Sequence, residues 1–344
     1  MKNLSFILIA LLFLISNATI AQVKTELINY YGWTNSVQLS NTEIKLIVVP
    51  QIGRIIHFSY LDQENLLYEN PQFQGQTYSA ENPYKVDGLI AHAAFGGDRI
   101  WPTVQDSFEV LNGSRGLSDP WIDGSEWEYE LIENGIQITS RVSDYIGAKV
   151  TRTITLNAEG TTVTIQQKME KIKRGKKRQL EPIPLTIWNL SKIKTPDFGL
   201  ISLHKNSIFD NGIFMPSWPD NINSAWKNYS KIGEVGMLIP DPVLFQKVGA
   251  DSPGWVAGVT GNIVFGEFFH FDPNETYPDG GTSATIFTCS DFTELECLSP
   301  EKKLRTGKSI QFDIQWKLHK MEDTKNLTRK RKQAITWLEN EAKK

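Results

Sequence analysis

AKVTRTITLNAEGTTVTIQQKMEK, Ala148 to Lys171, alternates with a period of two on either side of a short break. Successive side chains of a strand point to opposite faces of its sheet. Val150, Ile154 and Leu156 therefore share one face, interrupted by Arg152, while Thr151, Thr153 and Thr155 take the other. The NAEG stretch, Asn157 to Gly160, reads as a turn, after which Val163 and Ile165 resume the alternation. Two β-rich runs around such a break predict an antiparallel hairpin.

The same design recurs outward in both directions. EWEYELIENGIQITSRV carries Asn134-Gly135 between two alternating runs, the strongest short hairpin signal. WVAGVTGNIVFGEFFHF predicts a third hairpin turning at TGN, and SVQLSNTEIKLIVVP gives two short strands ahead of GRIIHFSYLDQENLLY. TSATIFTCS, FTELECLS and SIQFDIQWKL close the β region with three more. Helical periodicity is confined to the end, Glu322 to Lys344, where Ala334, Ile335, Trp337 and Leu338 form an apolar face expected to pack on the outside of the sheets. Regularly spaced strands with no linker or repeat favour one large antiparallel sandwich. The expected division is residues 22–320 as a single β domain, followed by a helical tail at 321–344.

The first residues fix the expected compartment. MKNLSFILIALLFLISNATIAQ has a positive start, an apolar run from Phe6 to Ile15 and small residues leading to Ala21, the layout of a secretory signal peptide at 1–21. That run is shorter than the ~18 apolar residues of a membrane span. A secreted or periplasmic protein is expected, with no membrane association after removal of the signal. A net charge of −3 argues against nucleic acid as a partner. The ten tryptophans and ten tyrosines serve either as core or as platforms for sugar rings. KRGKKR, Lys173 to Arg178, reads as a solvated loop. Cys289 and Cys297 are either a disulfide across a hairpin, which an oxidising compartment permits, or two buried thiols.

The chemistry concentrates in two stretches. In TELECLSPEKKLRTGKSIQFDIQW, Thr293 to Trp316, Glu294 and Glu296 point to one face of a strand, and Leu295 and Cys297 to the other. If that face is partly desolvated, repulsion and burial raise one carboxyl toward neutrality and suit it to proton transfer; a solvated face is the plainer alternative. In FGGDRIWPT, Phe95 to Thr103, two glycines precede Asp98, Arg99 and Trp101, groups able to grip a polar ring. Asp279 in YPDGG serves its turn. Asp98, Glu267, His270, Glu294 and Glu296 include metal-ligand types, but no spacing matches a ligand motif. No metal and no cofactor is expected.

Taken in order, several segments resemble the galactose mutarotase-like (aldose 1-epimerase-like) superfamily. They are PQIGRIIHFSYLDQENLLYENP from Pro50, HAAFGGDRIWPT from His92, PIPLTIWNL from Pro182, YPDGGTSATIFTCSDFTELECLSP from Tyr277, and the last strand after RTGKS. The resemblance is to an exported bacterial branch rather than to true epimerases. It implies an all-β fold, an antiparallel β-supersandwich with a sugar-sized concave cleft, here followed by the short C-terminal helix. It implies Glu296 as catalytic base, with Glu294 second, and Arg99 as the group holding sugar hydroxyls. The Asn-His dipeptide of epimerases is missing before TIWNL, so the partner acid must come from elsewhere. His92 and His270 are the candidates nearest the family's cleft loops; His57, His204 and His319 complete the histidines. Asp98, Trp101, Arg54 and Trp127 are further candidates for substrate contact, as is Trp121. Together these readings imply a monomeric protein acting on a mono- or oligosaccharide by acid–base chemistry; a non-catalytic carbohydrate-binding protein on the same fold is the alternative.

Overall fold

The computed structural model describes residues 22–103, 107, 119–176, 183–214 and 225–344. The expected signal peptide and the end of the basic run, 177–178, lie outside the described residues; Lys173 and Lys176 are exposed and pair with Asp144.

The hairpin read from Ala148 to Lys171 lies inside the largest sheet, paired on both sides. Strands Ala148–Leu156 and Val163–Lys171 pair antiparallel with Ile154 opposite Ile165, and burial alternates along both. Ten strands are joined in the order Tyr229–Ile232, Val235–Leu238, Phe198–Ser202, Trp255–Thr260, Ile263–Phe269, Ser309–Lys320, Val163–Lys171, Ala148–Leu156, Gly135–Thr139 and Glu128–Ile132. Asn134 turns the last hairpin with φ 55°, a left-handed conformation that asparagine tolerates.

Two smaller sheets lie against the inner face of this one. Lys24–Tyr30, Trp33–Ser40, Ile44–Val49 and Arg54–Tyr60 make a four-stranded meander. Gln246–Ala250, Ala284–Thr288, Phe292–Leu298, Trp188–Lys194 and Asp98–Trp101 make a five-stranded sheet. The two meet edge to edge, where the Ile55 amide donates to the Asp98 carboxylate at 2.6 Å. Phe58 of the meander packs on Phe265 and Trp316 of the large sheet, at ring separations of 5.5 and 5.6 Å. Beneath the five-stranded sheet the layers come closer, since a Cβ on Gly258 would lie 2.4 Å from the Ile193 side chain. The core between the layers is aliphatic and aromatic, including Ile154, Ile165, Ile314, Leu295 and Ile286.

One end of the large sheet is covered on both faces, which accounts for the nearly unbroken apolar run WVAGV. Val256 faces the inner core, while Trp255, Ala257 and Val259 join a second cluster with Ala334 and Leu338 of the C-terminal helix. The helix spans Leu327–Glu341, later than the Glu322 start expected from the sequence. Asn326 sets that start: its side-chain oxygen accepts from the Arg329 amide at 3.0 Å, an N-cap that satisfies one of the helix's open donors. Ile335 and Trp337 flank the packed face, as their periodicity predicts. The all-β sandwich and its short C-terminal helix follow the sequence reading.

The cysteines resolve in favour of two buried thiols. Cys297 lies opposite Ala284 in the strand pairing, whereas Cys289 sits beyond the paired strand, beside Phe292. The turn places them at different registers, so they do not face each other.

Candidate functional site

The register of the five-stranded sheet decides which side chains share its outward face, the one turned away from the large sheet. Directly opposed residues of an antiparallel pair share a face. Glu296 is opposite Leu190 and Thr285, Glu294 is opposite Lys192 and Phe287, and Lys247 is opposite Phe287. Arg99 is opposite Leu190, and Trp101 is opposite Trp188. Glu294, Glu296, Lys192, Lys247, Arg99, Trp101 and Trp188 therefore stand together on one surface.

Their polar atoms form a connected set. Arg99 donates from Nη2 to Glu294 Oε1 at 3.0 Å, and the Lys192 ammonium lies 3.5 Å from the same oxygen. Trp188 Nε1 donates to Glu296 Oε2 at 3.1 Å, and Lys247 Nζ lies 3.4 Å from that atom. The guanidinium of Arg99 rests over the Trp101 ring at 4.4 Å, and the Lys247 ammonium over Trp188 at 4.9 Å. Trp101 Nε1 in turn donates to Asp123 Oδ2 at 3.0 Å. The set is nearly closed to solvent, Glu296 being 1 % and Lys192 3 % exposed.

Closure and pairing separate the two glutamates. Burial disfavours the charged form of Glu294, but Lys192 and Arg99 outweigh it and hold the carboxyl below the usual range. Glu296 has the weaker electrostatic support. Burial, with the neighbouring Glu294 and Asp279 charges, pushes it up to about 7 against the opposing pull of Lys247. Burial also lowers Lys192 to about 8, despite Glu294 beside it. Two groups with near-neutral proton affinities thus stand next to an ionised carboxylate.

His92 reaches the edge of this set. Its Nε2 contacts Arg99 Nη1, and its Nδ1 lies 3.7 Å from Asp123 Oδ2. Burial and the Arg99 charge hold its pKa well below the normal histidine value, so the ring is neutral near pH 7. The crevice it lines with Tyr78, Tyr84 and Asp123 has about 40 Å³, far below the ~300 Å³ at which small-molecule clefts begin. His270 is exposed where the strand Ile263–Phe269 of the large sheet ends, not on the five-stranded sheet. Of the remaining histidines, His57 is buried between Tyr30 and Ser59, His204 packs near Phe271, and His319 stacks on Trp337.

Several residues expected at the substrate stand elsewhere. Asp98 points to the opposite face from Arg99 and pairs with Arg152, both fully buried between the sheets. Trp127 belongs to the core, 2 % exposed, with its Nε1 donating to Ile122 O. Trp121 packs on Tyr145, with ring centroids 4.8 Å apart. Arg54 lies under the site: it donates to Gly96 O at 2.8 Å and pairs with Asp123. Gly96 and Gly97 are required by the chain itself. Their φ values are 94° and 64°, and an added Cβ would lie 2.2 Å from Tyr68 O or 2.3 Å from Ile55 O. They let three backbone segments meet.

Asp123, Lys192, Lys247 and Trp188 were absent from the sequence-derived candidates. Trp188 and Lys192 were within reach of the alternation in WNLSK, which sets them on one face with Leu190. Nothing local in the sequence marks Asp123 or Lys247; long-range pairing brings them in.

No family model and no curated protein matches the sequence. Solved structures do match in shape. A galactose mutarotase-like protein from Lactobacillus casei is similar with a TM-score of 0.51 at 9 % identity, covering 83 % of this chain and 100 % of that one. A galactose mutarotase related enzyme from Lactobacillus acidophilus gives 0.50 at 11 % identity, covering 85 % and 100 %. Identities this low speak for architecture alone. The strand order, the layering and these similarities together establish that the chain has the galactose mutarotase-like fold.

Proposed function

We propose that this is an exported carbohydrate-active protein that exchanges the anomers of a sugar, with Glu296 as base and Lys192 as acid. The observation that carries the reading is the split between two carboxyls on one strand face: Glu294 held ionised, Glu296 raised to about 7. Carboxyl pairs driven apart by their surroundings are a recurring basis for acid–base roles. Such a reaction needs one group to take the anomeric O–H proton and another to protonate the ring oxygen. Glu296 and Lys192 are diagonal neighbours, opposite Leu190 and Glu294 respectively, a placement that puts them roughly 7–8 Å apart at the backbone. Both side chains are buried, 1 % and 3 % exposed, so the reaction requires the outward face to open before the C1–O5 unit of one ring can stand between them.

In the forward direction the Glu296 carboxylate accepts the proton of O1–H, and C1=O forms as the C1–O5 bond breaks. The Lys192 ammonium gives its proton to O5. Rotation about C1–C2 and closure on the other face of the aldehyde return both protons. Glu294 holds Lys192 near the reacting atoms, and Arg99 is placed to bind hydroxyls. The neutral His92, already engaged by Arg99, is not the acid in this scheme.

Exchange NMR on a panel of aldoses tests the reading. Wild type is expected to accelerate anomer exchange for at least one sugar, and Glu296→Gln to slow it by about 100-fold or more without lowering the melting temperature. Lys192→Met should remove the high-pH limb of the rate profile. Full exchange activity in Glu296→Gln would rule out its role as base. Sugar binding without any acceleration of exchange would make the face a non-catalytic binding site.

A further inference from the structure

The outward face does not end at the charged set. Beyond Glu294, on the same side of the sheet, a row of aromatic rings crosses the strands. Phe292 lies two residues before Glu294, Phe287 is directly opposite Glu294, and Phe245 precedes Lys247 by two residues. Tyr68 approaches Phe292 from the segment that pairs with the Gly-Gly turn. Ring centroids are 5.3 Å apart from Tyr68 to Phe292, 6.2 Å from Phe292 to Phe287, and 6.1 Å from Phe287 to Phe245. The last two rings are within 21° of parallel, and the other tilts are 41° and 47°.

The row differs from core packing in its exposure. Glu294, Glu296, Lys192 and Lys247 are buried, whereas Tyr68, Phe292 and Phe287 are half-buried and Phe245 is 46 % exposed. The rings are thus open to solvent where the charged set beside them is closed. The join is direct, since the Lys192 ammonium sits 4.0 Å from the centre of the Phe292 ring. Phe245 and Phe287 lie beyond that contact.

Resting on the sugar reading above, we infer that this row is an extended subsite for a chain of sugar units, so that the ligand is an oligosaccharide whose end ring reaches Glu296. Each step between centroids is about the length of one pyranose ring. The C–H groups on a pyranose face carry slight positive charge and match the negative face of an aromatic ring. A second copy of this protein is the competing occupant, because Val243 and Leu244 next to Phe245 are also exposed. The chain is favoured by the continuity of the row with the charged set, which an apolar contact between copies does not need.

Calorimetry with full-length mature protein and graded ladders tests this: glucose to maltotetraose, glucose to cellotetraose, and xylose to xylotetraose. For at least one ladder, affinity is expected to rise by about tenfold or more from one unit to three. Phe245→Ala and, separately, Phe287→Leu should each reduce that length-dependent gain by at least threefold. Equal affinity for one and three units, or a gain unchanged in both variants, overturns the extended subsite while leaving the sugar reading intact. Failure of every monosaccharide and chain to bind overturns the sugar reading and the subsite with it. Concentration-dependent dimerisation abolished by Phe245→Ala, with no length gain, assigns the row to a second copy and overturns the proposal.

Discussion

Glu267 sits fully buried between the sheets, and replacing it by glutamine tests how its charge is handled. Cys297 Sγ donates to its Oε2 at 3.2 Å, Ser191 supports it, and Arg152 attracts it weakly. Burial dominates and pushes the carboxyl from the usual 4.5 to about 8. A raised carboxyl affinity is a pH-dependent liability. Between those two values the folded protein keeps the proton while the unfolded chain releases it, so stability falls as pH rises. The slope is ~1.4 kcal/mol per pH unit, on the order of 4–5 kcal/mol over the window. Above about 8 both states are ionised and this contribution stops changing. Glutamine keeps the shape of the protonated acid and does not titrate. Glu267→Gln should therefore match wild type near pH 5 and become several kcal/mol more stable by pH 8. Urea unfolding of both proteins at pH 5, 6, 7 and 8 measures the difference, in which other titrating groups cancel. A difference that stays constant across this range would show that Glu267 does not hold its proton in the folded protein.

Two further substitutions separate backbone from charge effects. Gly97→Ala should lower stability by about 2–4 kcal/mol, combining a left-handed φ with the collision against Ile55 O, whereas Gly160→Ala, at φ 76° with nothing within 4 Å, should lose only ~1 kcal/mol in the same denaturation assay. Arg152→Met leaves Asp98 as an uncompensated buried charge and should destabilise by roughly 3–5 kcal/mol, and adding Asp98→Asn should recover part of that loss in calorimetric melting.

The strands were legible because their signals are local. Asn134-Gly135, the alternation about NAEG and the TGN turn each fix a hairpin within twenty residues or so, and the pairings follow them. The faces were harder, because they depend on which distant strand a segment joins. Asp98 and Arg99 are adjacent in sequence, yet one enters the layer between the sheets and the other the outward face. Trp127 looks in sequence like any other tryptophan of the aromatic set; its burial follows from the way it closes over Gly53. Glu294 and Glu296 were recognised as sharing a face from strand periodicity alone. Their unequal proton affinities were not, since these come from Lys192, Arg99 and Lys247 on three other strands.

The proposed chemistry depends on Glu296 carrying a near-neutral carboxyl beside an ionised Glu294. Carboxyl-carbon NMR of protein labelled at glutamate, with Glu296→Gln used to assign the resonance, measures this without knowledge of the substrate. A Glu296 inflection is expected near pH 7, with the Glu294 inflection below the normal carboxylate range. A Glu296 resonance that titrates at the ordinary value or below would contradict that chemistry.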